Sequence, residues 1–175
     1  MIYQPIYTTA IRLPAIPGYD LTCLSGIVDF GHDAMVKFDS APGCKVDMFI
    51  WHDKGDDTCF ACMGGSAALL MAGIGGPDDS FWEGLDPDNL IAVRTAIAGR
   101  ANIDLGVVEV LERTLNNVRM GLIASAFDNL GMRRDSLNWI ASHRRTRAMP
   151  DYNRAPEPFR DALWQLARDL RELGY

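Results

Sequence analysis

The chain has 175 residues, of which 48% are hydrophobic and 23% charged, and a formal net charge of −6 at pH 7. A chain of this length buries roughly 70% of the surface it exposes when unfolded, and this composition excludes intrinsic disorder over most of its length. No apolar run approaches the ~20 residues that a bilayer-crossing helix needs; the longest, 66–76, is rich in glycine and small residues.

The opening stretch, MIYQPIYTTAIRLPAIPGYD, lacks the basic start, apolar stretch and cleavage site of a signal peptide, so a cytoplasmic location is expected. In that compartment Cys23, Cys44, Cys59 and Cys62 stay as thiols, and their even number does not argue for disulfides. Charge is uneven along the chain. Residues 1–90 hold 13 acidic and 4 basic side chains, whereas residues 91–175 hold 10 and 13. Either the halves attract each other within one fold, or an acidic surface carrying Asp53, Asp56, Asp57, Asp78, Asp79 and Glu83 is presented to a basic partner.

In chain order, residues 1–30 contain two prolines within RLPAIPGYD, implying an irregular path, with a short apolar segment at 26–30 that could add a strand. Residues 34–39 and 44–52 alternate apolar and polar side chains around the turn sequence DSAPGC, which predicts a hairpin over about 34–51. Asp56, Asp57 or Thr58 can cap a helix running from Cys59 to about Gly73. Asp86-Pro87 opens another helix through about Ala98, stopped by Gly99. Asp104 begins a longer one with Val108, Leu111, Leu115, Val118 and Leu122 on one stripe, stopped at Asn129-Leu130-Gly131. A helix follows from about Asp135 to His143 with Leu137 and Ile140 inward. The last carries Phe159, Leu163, Leu166, Leu170 and Leu173.

The sum is a single α+β domain over 1–175: a small N-terminal antiparallel sheet packed on a bundle of four or five helices. Residues 1–55 are expected to be mainly strands and loops, and 56–175 mainly helical. The stretch 147–158, rich in proline and polar residues, reads as a linker.

Cys59-Phe60-Ala61-Cys62 admits three readings. In the first turn of a helix both thiols would feel the positive helix end, as redox pairs do, although no βαβ pattern surrounds them and Asp56 and Asp57 oppose a thiolate. Zinc would take Cys59 and Cys62 with further ligands from His52, Cys44, His32 or Cys23, but no second ligand pair stands at metal spacing. In the third, preferred reading the cysteines are small buried hydrophobes, and Gly64, Gly65, Ser66, Ala67 and Ala68 form a face that lets another backbone approach closely. A Cys59/His52 nucleophile pair lacks any recognisable orienting partner.

The segment 133–147 holds Arg133, Arg134, Arg144, Arg145 and Arg147 with one aspartate. Guanidinium forks suit phosphate or carboxylate, and Trp139 could stack on a base. In an acidic chain we expect these arginines to form the solvated side of a short helix and to pair with the acidic half, without direct nucleic-acid binding.

Asp47, Met48, Trp51, Cys59, Cys62, Gly65 and Ala67 lie in VDMFIWHDKGDDTCFACMGGSAALLMAG, residues 46–73. This segment resembles one in a group of small proteins of bacteriophages and their bacterial relatives, where Asp-Met-x-x-Trp precedes Cys-x-x-Gly-x-Ala. The group has no established activity, so the resemblance implies a phage or mobile-element origin and transfers no catalytic role. The expectation is a non-enzymatic accessory protein that needs no cofactor and docks on a basic surface of a host protein, such as a defence or nucleic-acid-processing complex. The alternative is a zinc-binding or thiol-redox protein centred on Cys59 and Cys62.

Overall fold

The computed structural model describes residues 12–143 and 148–175. Among them the architecture is α+β, with seven α-helices and one three-stranded sheet. The first helix, α1 (Leu24–Ser40), replaces the strands expected at 26–30 and 34–39. Among its buried residues, Leu24, Ile27, Val28, Gly31, Ala34, Met35 and Phe38 recur at helical steps. The alternation seen over six residues is one edge of that longer pattern.

Strands β1 (Cys44–Val46), β2 (His52–Lys54) and β3 (Cys59–Ala61) form a mixed sheet in the order β1-β3-β2, not an antiparallel one. β1 runs parallel to β3, pairing Cys44 with Cys59, and β2 runs antiparallel to it, pairing His52 with Ala61. The hairpin is therefore β2–β3. Gly55-Asp56-Asp57-Thr58 closes it, with the Gly55 N–H donating to the Thr58 carbonyl at 2.9 Å, so these turn residues do not cap a helix.

Helix α2 (Met63–Met71) starts four residues later than expected, with Cys62 as its N-cap. It is buried along Met63–Leu69 and packs against α1 and against α4 (Leu105–Arg119). Close approach requires its two glycines. A Cβ on Gly64 would lie 3.0 Å from the Glu112 Cα, and one on Gly65 would collide with the Trp51 carbonyl oxygen. The small-residue face is thus the seam between α2, α4 and the 47–51 loop.

Helix α3 (Leu90–Ala101) is capped by the Asn89 side chain and runs through Gly99 to a left-handed Asn102, so neither Asp86-Pro87 nor Gly99 marks its ends. The long helix expected from Asp104 to Asn129 divides into α4 and α5 (Ile123–Asn129) at Gly121, whose φ of +74° suits glycine. Val108, Leu111, Leu115 and Val118 are buried as expected, but Leu122 falls in the break and is exposed. Helix α6 (Arg133–Ser142) turns Ser136 and Trp139 inward, leaving Leu137 and Ile140 each 52% exposed, the reverse of the expectation for those two. Helix α7 (Pro156–Glu172) buries Phe159, Leu163, Ala167 and Leu170 against α1 and leaves Leu173 exposed.

The described part of the 147–158 stretch is mostly exposed but anchored at two residues. Tyr152 is buried, and Asn153 accepts from the Met48 N–H at 3.1 Å while donating to Asp47 at 2.8 Å.

Candidate functional site

The two cysteines of the central segment occupy different surroundings. Cys59 points from β3 to the buried face of the sheet beside Cys44 of β1, where burial pushes its thiol up to about 12. Cys62 caps α2, its Sγ accepting from the Gly65 N–H at 3.5 Å, and burial outweighs that contact to raise its thiol as well. Neither environment favours the free thiolate that redox work requires.

His52 is 6% exposed and stacks on Trp82 with ring centroids 4.6 Å apart; burial lowers its pKa to about 4, holding the ring neutral. His32 and Cys23 belong to α1 and the turn before it. Among the described residues no three histidine, cysteine or acidic side chains gather into a metal-ligating group.

The acidic residues come from two stretches that both border the small sheet. Asp53 lies on β2, an outer strand, with Asp56 and Asp57 in the turn that follows. The stacking of His52 on Trp82 carries the 77–83 segment against this strand. Gly43 is so close to both the Asp57 carbonyl and Pro77 that a Cβ there would lie 2.6 Å and 2.9 Å from them. Asp53, Asp56, Asp57, Asp78 and Glu83 are exposed, while Asp79 is bound to Arg100 at 2.7 Å and caps the short 3₁₀ turn at Ser80–Trp82. Lys54 donates to the carbonyls of Gly55 and Asp56 within the same turn.

Of the basic segment, Arg133 pairs with Asp128 of α5 at 2.9 Å and Arg134 is exposed, so neither joins the acidic half. Arg144, Arg145 and Arg147 lie outside the described residues. The bridges between halves are made by other arginines: Arg160 with Asp39 at 3.0 Å, Arg171 with Asp29, and Arg100 with Asp79.

A charged cavity of about 370 Å³ opens between the 47–51 loop, the start of α2, α3 and α4. Glu112 of α4 stands in its wall, 6% exposed, with Oε2 accepting from Arg94 Nε at 2.9 Å. The Arg94 guanidinium also covers the Trp51 ring, 4.4 Å from its centroid. Glu112 Oε1 accepts no hydrogen bond; the Trp51 indole N–H faces the carboxyl without reaching bonding geometry. Burial raises the Glu112 pKa to about 7, against the opposing pull of Arg94. Arg119 donates to the Met48 carbonyl at 2.7 Å and to Asn116, fixing the loop over the cavity.

Met48, Trp51, Cys62 and Gly65, all from the stretch 46–73, converge here. Sequence reasoning missed Arg94, Glu112 and Arg119, although one signal was present. Glu112 follows Val108 by four and precedes Leu115 by three, placing a carboxylate at an inward position of an apolar stripe. Compared with known proteins, the chain matches no family model, no curated protein and no solved structure.

Proposed function

We propose that this chain is a non-enzymatic binding protein, of the accessory kind that phages direct at host proteins, and that it docks on a basic surface through the acidic edge of its sheet. One observation carries the reading. Residues 53–57 and 78–83 are distant in sequence, yet the His52–Trp82 stack and the close approach of Gly43 to the Asp57 carbonyl and Pro77 bring both stretches to the same small sheet. Five of the six carboxylates there are exposed, and the basic groups engaged with the edge are Lys54 and Arg100. Such a surface attracts a basic partner through solvent, speeds encounter and suppresses acidic competitors. A defence or nucleic-acid-processing complex, which displays basic surface for its own anionic substrates, fits that requirement. The redox form of the alternative centred on Cys59 and Cys62 gains no comparable support, since burial raises both thiols.

The test is capture of a host protein from bacterial lysate by the wild-type chain and by a variant carrying Asp53→Asn, Asp57→Asn and Asp78→Asn. These side chains are exposed, so the variant folds. Expected is a partner retained by the wild type at low ionic strength, released as salt shortens screening to below ~10 Å, and absent with the variant. Capture that is insensitive to salt and to the three substitutions overturns the reading. Zinc retained by the purified protein, with a melting temperature lowered by chelation, would establish the alternative instead.

A further inference from the structure

The cavity beside Glu112 has a charge balance opposite to that of the acidic edge. Three guanidinium groups line it. Arg94 is bound to Glu112 Oε2, Arg119 is held by uncharged acceptors, and Arg113 has no carboxylate partner among the described residues. Facing them are Glu109, exposed, and Glu112, more than nine-tenths buried with the Trp51 indole N–H set against its carboxyl. Phe49 projects at the rim, 79% exposed, an unusual place to leave a phenyl ring uncovered.

We propose that this cavity binds a small organic carboxylate with a flat apolar body, its anion held by Arg113 and Arg119 and its body by Phe49. Guanidinium forks match the two oxygens of a carboxylate, and Arg113 and Arg119 have no competing acidic partner. The presence of Glu109 and Glu112 disfavours a dianion such as phosphate, and the phenyl rim favours a ligand with apolar surface. A volume of about 370 Å³ lies within the usual range for small-molecule sites.

Occupancy is coupled to the proton on Glu112. The groups facing that carboxyl are Arg94 from α3, Trp51 from the loop, Cys62 from the start of α2, and Glu109, Arg113 and Arg119 along α4. An anion brought among them favours protonated Glu112, so affinity falls as Glu112 ionises with rising pH. The acidic edge uses none of these residues, so failure of this proposal leaves the partner-docking reading intact, and the reverse holds too.

The experiment titrates the full chain with sodium phenylacetate and follows the indole N–H signals by NMR, with that of Trp51 identified through Trp51→Phe. Parallel titrations use inorganic phosphate and phenylethylamine. Expected is a saturable shift at Trp51 with phenylacetate alone, weakening between about pH 6 and about pH 8. Arg113→Gln, at an exposed position, should raise the dissociation constant about tenfold. Glu112→Gln should retain binding and lose its pH dependence. No saturable shift up to about 10 mM, equal binding by the Arg113→Gln chain, or preference for phosphate or the amine each overturns the proposal.

Discussion

Gly65 shows how one missing side chain can position a whole loop. Its backbone touches the Trp51 carbonyl so closely that an added Cβ would have to displace the 47–51 loop or the start of α2. Gly65→Ala should therefore destabilise by about 1–3 kcal/mol in urea unfolding, even though alanine is the better helix former. Stability equal to or above the wild type would mean that this contact does not constrain the loop. Glu112, across the same seam, links stability to pH. Its ordinary value of 4.5 is raised to about 7 on folding, so between those values the native state holds more proton than the unfolded chain. Its contribution is then most favourable at low pH and declines as pH rises through that window. His52, whose value falls from 6.5 to about 4 on folding, acts with the opposite sign, contributing stability that is lost as pH falls through its window. Comparison with Glu112→Gln isolates the first effect: the wild type should lose stability relative to the variant from about pH 4.5 to about pH 7 and run parallel to it above. A constant difference across that range would contradict the burial argument.

Among the elements, α4 and α7 were readable because each presents a single apolar stripe to the core over several turns. Leu115 is fully buried and touches the position where a Cβ on Gly31 would sit, whereas Leu166 is only partly buried. Leu115→Ala should cost about 2–5 kcal/mol in urea unfolding and Leu166→Ala distinctly less. Leu137→Ala and Ile140→Ala should stay within about 0.5 kcal/mol of wild type, since both side chains face solvent. A large loss at Ile140 would restore the inward face read from the sequence. Helix α1 was harder to read: its polar cluster Asp29, His32 and Asp33 resembles a loop until the steps on either side are counted together. The Gly55–Thr58 turn was ambiguous for a different reason. Aspartate and threonine are equally good in turns and at helix starts, and only the partner strand β2 decides between them. The cavity was less legible still. Trp51, Cys62, Arg94, Glu112 and Arg119 come from four separate segments, and no spacing rule joins residues that tertiary packing alone assembles.

At the scale of the whole molecule, the uneven charge and the order of packing concern the same boundary near residue 90. Acidic and basic halves meet through Asp39–Arg160, Asp29–Arg171 and Asp79–Arg100, but such partly exposed pairs contribute about 0–1 kcal/mol each and do not hold a fold together. Burial across the boundary does so. Helix α1 packs on α7, α2 packs on α4, and the Ser25 N–H donates to the carbonyl of Tyr175 at 3.0 Å, tying the start of α1 to the end of the chain. Neither half can cover its own apolar faces: without residues 91–175, α2 loses α4 and α1 loses α7. Chemical unfolding should therefore show one transition, with tryptophan fluorescence and far-ultraviolet dichroism coinciding. Fragments 1–90 and 91–175 expressed separately should lack dispersed NMR spectra and should regain them only when mixed, through packing across the α1–α7 and α2–α4 seams. High salt should leave that reassembly largely intact, because screening removes the surface ion pairs and not the buried contacts. A folded fragment on either side of residue 90, or reassembly abolished by salt, would show that the boundary in charge is also a boundary between domains.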